Sequence, residues 1–414
     1  MAKKFTLVVA GALLAGIAAG ASIHAFIPDE SVRQLIAGYC QIGTDVFLRL
    51  IKMIIAPLVL STLTVGIAHM GEPAKLGRVG ARTLGWFLFA SLISLALGLL
   101  MVTWIAPGVG AGFALPEAGI DSGVHATAMT LKDFVTHLVP KSIAEAMANN
   151  EILQIVIFSG FLGTALASLG ARVSRLVGVL DDIAQAMLKM TSYVMLFAPI
   201  AVFAAITAVV AQHGFGVLAT YGRFVGGFYL SLITLWGILL ALGSVVLGRR
   251  ILQLIPLLRE PVLLAFSTAS SEAAYPKTLS QLERFGVSGR IASFVLPLGY
   301  SFNLDGSMMY CTFATLFIAQ AYGIALSVSQ QITMLLLLMV TSKGMAGVPR
   351  ASLVVIAATL AHFGIPEAGL VLILAVDQFL DMGRSATNVI GNSVATAVVA
   401  AFEGELAEPE RARR

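Results

Sequence analysis

The residues with the most chemistry to offer lie on one short run near the end of the chain. Asp377, Asp381, Arg384, Asn388 and Asn392 fall at offsets 0, 4, 7, 11 and 15. At about 100° per helical residue they occupy an arc of roughly 80°. One stripe of an otherwise apolar helix therefore bears two carboxylates, a guanidinium and two amides. The guanidinium is a planar fork for a carboxylate, and an aspartate one turn away offers a partner for an ammonium. A paired Asp–Arg network that merely glues helices together would need fewer groups than these five.

Three more polar interruptions precede that stripe. Gly299-Tyr300-Ser301-Phe302-Asn303-Leu304-Asp305-Gly306-Ser307 puts glycines on both sides of an Asn and an Asp within a long apolar run. A helix there is expected to unwind, which lipid tolerates only where the freed backbone lines a cavity and can meet a cation or a substrate. Ser267-Thr268-Ala269-Ser270-Ser271-Glu272 ahead of Pro276, and Ser342 to Arg350 through Gly344, Gly347 and Pro349, each read as a short helix, a tip and a second short helix. Helix N-termini at such tips present free N–H groups to an anion.

The elements that must hold these residues follow from composition. Of 414 residues 58% are hydrophobic and 12% charged, against about 25% charged in soluble domains, and the mean hydropathy is +0.92. Disorder, a disulfide scaffold, nucleic-acid binding and ordinary soluble catalysis are excluded, and 40 glycines suit close-packed helices in lipid. Cys40 and Cys311 sit in apolar surroundings, and the six histidines are scattered. With no phosphate loop and no HExxH, no cofactor and no metal centre are expected.

The apolar run from Phe5 to Ile27 is long enough to cross a bilayer and reads as a retained first helix. Further spans are expected near 43–70, 83–106, 151–170, 183–212, 217–248, 291–322 and 367–402. The stretches 251–290 and 326–364 are apolar but broken. If both are re-entrant hairpins, alternate spans put Lys3/Lys4, Lys75/Arg78/Arg82, Arg172/Arg175, Arg249/Arg250 and Arg411/Arg413/Arg414 on one side, the cytoplasmic one. The expected architecture is all-α and polytopic: eight transmembrane helices plus two re-entrant helical hairpins, both termini cytoplasmic. The loop 108–150 would be extracellular, and the polar tail after Glu403 is expected to fray.

Together these motifs resemble the dicarboxylate/amino acid:cation symporter family, the glutamate transporter homologues, over nearly the whole chain and most sharply from Ala265 onward. The resemblance implies a homotrimer in a bacterial inner (plasma) membrane that works as an elevator and is not an enzyme. Its scaffold would comprise 1–82 (spans 1 and 2) and 108–212 (the extracellular loop, spans 4 and 5). Its moving transport domain would comprise 83–107 (span 3) and 213–403 (span 6, first hairpin, span 7, second hairpin, span 8), leaving 404–414 as a cytoplasmic tail. The motif match puts the substrate side-chain carboxylate on Arg384, helped by Ser307, and the substrate ammonium on Asp381. Asn388 and the Ser270-Ser271 tip would hold the α-carboxylate, with Ser385 and Gly347 completing the set. The tip around Gly347 would be the lid, modulated by Arg350.

The departures from the family pattern bear on coupling. Sodium-coupled members place an aspartate where this chain has Asn392, and a tyrosine and a threonine where it has Phe87 and Ala90. Ser91, Gly299, Asn303, Asp305, Asn388 and Asn392 then outline a vestigial or possible cation site short of oxygen ligands. Proton coupling is expected over sodium, with Glu272 at the first tip as the leading proton carrier and Asp305 and Asp377 as alternatives. Asp381 favours an amino acid over a C4-dicarboxylate, and Arg384 an acidic one, so L-glutamate and L-aspartate are the expected substrates. Succinate, fumarate or malate is the alternative, to which Arg350 would contribute. Two readings from other classes are weaker: an intramembrane hydrolase using Ser270 or Ser271 with Lys343, and a pure channel.

Overall fold

Small residues decide how the first helices pack. The computed structural model describes residues 2–68, 73–110, 136, 139–214, 221–342, 351–374 and 376–407. Helix α1 (Ala2–Phe26) lies against α7 (Ala198–His213). A Cβ at Gly16 would come within 2.8 Å of the Phe203 carbonyl oxygen, and one at Gly20 within 2.9 Å of that of Thr207. Only glycine allows that approach, which joins helices where no hydrophobic driving force separates them from lipid. The long α2 (Glu30–Ala68) packs on α5 (Ile152–Leu169), α6 (Ser174–Val194) and α7, with α3 (Pro73–Ile105) and the short α4 (Ile143–Ala148) between them in sequence. The run expected at 183–212 is two helices, α6 and α7, joined by the 3-10 turn Met195–Phe197. Pro199 in the first turn of α7 has no N–H to carry the α ladder across the junction.

The second half contains the interruptions. After α8 (Gly222–Leu247), α9 (Ile251–Thr268) ends at Ala269, whose φ of +50° turns the chain, and α10 (Tyr275–Phe285) returns along α9 from Pro276 in its first turn. Lys277 and Glu260 pair between the arms at 2.8 Å. The two ends of this hairpin meet where the Arg250 guanidinium lies over the Phe285 ring, 5.5 Å from its centroid. The broken span is α11 (Gly289–Phe302) and α12 (Asp305–Ala321), interrupted at Asn303-Leu304 inside the glycine-flanked segment, where unwinding is expected. A second pair, α13 (Val328–Thr341) and α14 (Ala351–His362), also packs arm on arm; Lys343, Gly344, Gly347, Pro349 and Arg350 lie outside the described residues. The final run starts later than 367–402 suggests. After α15 (Leu370–Leu374) the chain is non-helical at Val376, and α16 (Asp377–Phe402) begins at the first aspartate of the stripe.

Among the described residues six helical runs are long and apolar enough to cross a membrane: Leu7–Phe26, Glu30–Ala68, Gly77–Ile105, Ile152–Gln212, Gly222–Thr268 and Asp377–Phe402. The chain is thus a nearly all-helical, polytopic membrane protein. Ile152–Gln212 is too long for one crossing, which takes about 20 residues, and the broken α11–α12 escapes the count because neither half reaches 18 residues. Two apolar cores flank α16. One joins α2, α9, α10 and α11 to its later turns; the other joins α3, α8, α12 and α14 to its start.

The chain end does not fray where the sequence suggests. Up to Ala407 it is held: Ser288 N–H donates to Glu405 O (3.1 Å), Ala407 N–H donates to Gly286 O (2.8 Å), and Arg250 donates to the carbonyls of Leu406 and Ala407. Glu403, its side chain fully buried, accepts from Arg78 (3.1 and 3.2 Å) and Arg82 (2.8 Å), while Glu405 takes Ser288 Oγ (2.5 Å) and Arg290 (3.4 Å). Local composition suggested a tail loose from Glu403 onward; up to Ala407 arginines from α3 and from the base of the hairpin overrule it, and 408–414 lie outside the described residues. Arg78, Arg82 and Arg250 thereby gather at one end of the molecule, around Phe402–Ala407.

Candidate substrate and cation site

The break between α11 and α12 and the stripe on α16 face each other. Asn388 Oδ1 accepts from the N–H groups of Gly306 (2.9 Å) and Ser307 (3.3 Å), so a side chain of α16 caps the exposed start of α12. Ser307 Oγ accepts from Asn388 Nδ2 (3.1 Å) and from Arg384 Nη1 (2.9 Å). Arg384 Nη2 pairs with Asp381 Oδ1 at 2.7 Å, and Ser385 Oγ donates to the same oxygen at 3.4 Å. The close approach of the two segments needs glycine, since a Cβ at Gly306 would collide with the Arg384 carbonyl oxygen.

The Asp381 and Arg384 side chains are 14% and 15% exposed, so the pair is largely desolvated yet reachable. Each charge satisfies the other. A ligand carrying a carboxylate and an ammonium could divide the pair, giving Arg384 the anion and Asp381 the cation, whereas one with carboxylates alone would set an anion against Asp381. Arg384 Nε is buried with no hydrogen-bond partner among the described residues, leaving donor capacity on the fork.

One turn deeper, Asn303 Nδ2 donates to Asp305 Oδ2 (3.0 Å) and Asn392 Oδ1 (3.2 Å), and Ser94 Oγ donates to Asp305 Oδ1 (3.1 Å). A Cβ at Gly299 would collide with Asn392 Oδ1, and one at Gly391 with Asp305 Oδ2. Asn303 Oδ1, Asn392 Nδ2 and Ser301 Oγ are buried and lack partners among the described residues. Buried polar atoms of this kind ask for a ligand, an ion or water. The donor set offers a cation carboxylate and amide oxygens. At Asn392 it is neutral, so the charge available to a hard cation is low.

The other candidates are spread around this centre. Ser91 is fully buried on α3, one turn before Ser94. Asp377 accepts from Tyr310 OH at 2.7 Å. Ser270 and Ser271 are partly buried at the tip of the first hairpin, where Ser270 Oγ accepts from Ala273 N–H at 3.3 Å. Glu272 opens the turn Glu272–Ala274, which packs on α2. Gly347 and Arg350 lie outside the described residues. Four side chains that the motif match does not single out brace these groups: Ser94 and Tyr310 bond Asp305 and Asp377, while Tyr229 and Trp236 bond α16 from α8 at Phe379 and Thr387. Tyr310 lies one helical turn from Ser307, a spacing visible in the sequence; the rest become apparent only from packing.

The model of the sodium:dicarboxylate symporter family matches residues 5–402. This chain belongs to that family. Among its relatives, the proton/sodium-glutamate symport protein of Bacillus caldotenax is 42% identical over 380 residues, 90% of each chain. The proton/glutamate-aspartate symporter of Escherichia coli (strain K12) is 39% identical over 410 residues, 97% of this chain and 93% of that one. The C4-dicarboxylate transport protein of Laribacter hongkongensis is 37% identical over 401 residues, 95% and 89% of the two chains. Membership makes this chain a transporter and gives the facing polar groups of α12 and α16 a context, since a cation:dicarboxylate symporter has to receive both an anion and a cation inside the membrane.

Proposed function

We propose that this protein is a secondary symporter that imports L-glutamate and L-aspartate together with protons. The observation that carries the substrate is the desolvated Asp381–Arg384 pair, whose two charges match an ammonium and a side-chain carboxylate. Ser307, already bonded to Arg384, supports the guanidinium, and the unused Nδ2 hydrogen of Asn388 is available with the Ser270-Ser271 tip and Ser385 for the α-carboxylate. Gly347 and Arg350 belong to the lid of this reading. Names of relatives for glutamate and aspartate transport agree with it.

Protons are favoured over sodium because Asn392 brings a neutral amide to the cluster around Asp305, with Phe87 and Ala90 adding no hydroxyl. Glu272 is the first choice of carrier: its turn touches α2, so its surroundings change if the two bodies slide past each other. Asp305 and Asp377 are the alternatives. The bodies are those of an elevator: 1–82 and 108–212 as a trimeric scaffold, 83–107 and 213–403 as the moving domain. Eight spans and two re-entrant hairpins, with both termini cytoplasmic in a bacterial inner membrane, complete the reading. The gathering of Arg78, Arg82 and Arg250 at one end supports that orientation.

A C4-dicarboxylate symporter is the second reading, favoured by relatives of that name at 37% identity. Proteoliposome uptake of labelled L-glutamate and succinate under imposed proton or sodium gradients separates the two. Proton-driven accumulation of glutamate is expected, and Asp381→Ala should lower glutamate uptake at least tenfold more than succinate uptake. Equal losses would overturn ammonium recognition, and accumulation that requires sodium would overturn proton coupling. Glu272→Gln should abolish accumulation driven by a pH gradient while sparing exchange; persistence of that accumulation would move the carrier elsewhere.

A further inference from the structure

One rung of α16 is shared with a side chain from another helix. Tyr229, on α8, donates its hydroxyl hydrogen to the Phe379 carbonyl oxygen at 2.6 Å. The Tyr229 ring lies directly against Gly383. Phe379 and Gly383 are the i and i+4 partners of one turn of an α-helix, so the phenol sits alongside that turn, bonded to one end and packed on the other. The turn contains Asp381 and is followed at once by Arg384.

Gly383 is what admits the phenol. A Cβ there would lie 3.0 and 3.1 Å from Tyr229 Cε1 and Cζ and 2.8 Å from Leu232 Cδ1. Any larger residue would push the ring away from this face of the helix. The same face of α8 makes a second contact two turns on, where Trp236 Nε1 donates to Thr387 Oγ1 at 2.8 Å. Asp381 and Arg384 fall between the two anchors. A second donor on the Phe379 carbonyl competes with the helix's own i+4 N–H for that oxygen, and this turn leads directly into the three-residue step that separates the carboxylate from the guanidinium.

We propose that Tyr229 is a positioning residue: by bonding the Phe379 carbonyl and packing its ring on Gly383 it bridges that turn and sets the spacing and direction in which Asp381 and Arg384 are offered to the ligand. It thereby tunes the discrimination between a ligand with an ammonium and one with carboxylates alone. This rests on the acidic-substrate reading above. A purely structural tether would act on both ligands alike, because both need α16 in place. A group that sets the carboxylate–guanidinium geometry acts on the ligand that uses both charges.

The test is calorimetric titration of the purified full chain with L-glutamate and with succinate, for wild type, Tyr229→Phe and Trp236→Phe, alongside thermal melting. Tyr229→Phe keeps the ring and removes only the bond to the Phe379 carbonyl. Its glutamate affinity should fall at least fivefold and its succinate affinity less than twofold, with Tm little changed. Trp236→Phe should leave the glutamate-to-succinate ratio where it is. An unchanged ratio in Tyr229→Phe, or equal losses for both ligands with a lowered Tm, overturns the positioning role. Wild-type protein that binds neither ligand overturns instead the substrate reading beneath it. Gly383→Ala gives an independent arm: it should move the ratio in the same direction as Tyr229→Phe, and no movement in a folded variant counts against the bridge.

Discussion

The first and last long helices of this protein invert the arrangement of a soluble fold. The apolar window of α1 is 18% buried, whereas that of α16 is 89% buried. Leu7, Leu14 and Phe26 of α1 are 72%, 65% and 84% exposed, while Asn388 and Asn392 of α16 are 1% exposed. In water this would be unstable; in lipid it is what the solvent requires, because hydrocarbon accepts leucine and rejects amides and carboxylates. The helix with the most polar chemistry is therefore the one most enclosed by protein. Its polar atoms must find partners on α3, α8, α11 and α12, while α1 needs only shape, supplied on one face by Gly16 and Gly20.

The largest test of this contrast is Arg384→Ala. It leaves Asp381 in a largely buried site without its cation and removes the anion fork, so uptake of acidic substrate should fall at least 100-fold, roughly the effect of losing about 3 kcal/mol from a buried pair. Retained uptake would mean that the stripe is structural. Next comes Gly391→Ala, whose Cβ would collide with the Asp305 carboxylate; overpacking of this kind costs about 3 kcal/mol, visible as a Tm lowered by several degrees. A smaller loss is expected for Glu403→Gln. Arg78 and Arg82 are 54% and 40% exposed, so solvent screens the pairs and about 1 kcal/mol is at stake, read as a small fall in Tm that high salt reduces in the wild type. At the bottom of the scale is Gly11→Ala, where nothing lies within 4 Å: melting and uptake should be unchanged or marginally improved. A large effect there would show that this face of α1 is covered.

Much of the site was legible because it depends on local pattern. The five-residue stripe, the break between Gly299 and Gly306, and the turn before Pro276 are each written within about two turns of chain, the range over which helical periodicity acts. Each appears close to where that pattern puts it. The misses are long-range. Ser94 meets Asp305 across 211 residues, Arg78 meets Glu403 across 325, and Tyr229 reaches Phe379 across 150. Nothing local marks these residues as the ones that reach the polar centre or the end of the chain.

By itself the sequence determined that the chain is a helical membrane protein, where its later helices break, and which residue types share the face of the last helix. Backbone hydrogen bonding in hydrocarbon and the 3.6-residue period leave little freedom in those matters. Only the tertiary structure decided that Asn388 caps the start of α12, that the chain up to Ala407 is clasped by arginines from α3 and from the base of the hairpin, and that a tyrosine from α8 bonds the turn that carries Asp381. Those outcomes depend on which helices come within a few ångströms of one another, and close packing through glycines sets that distance where no local signal does.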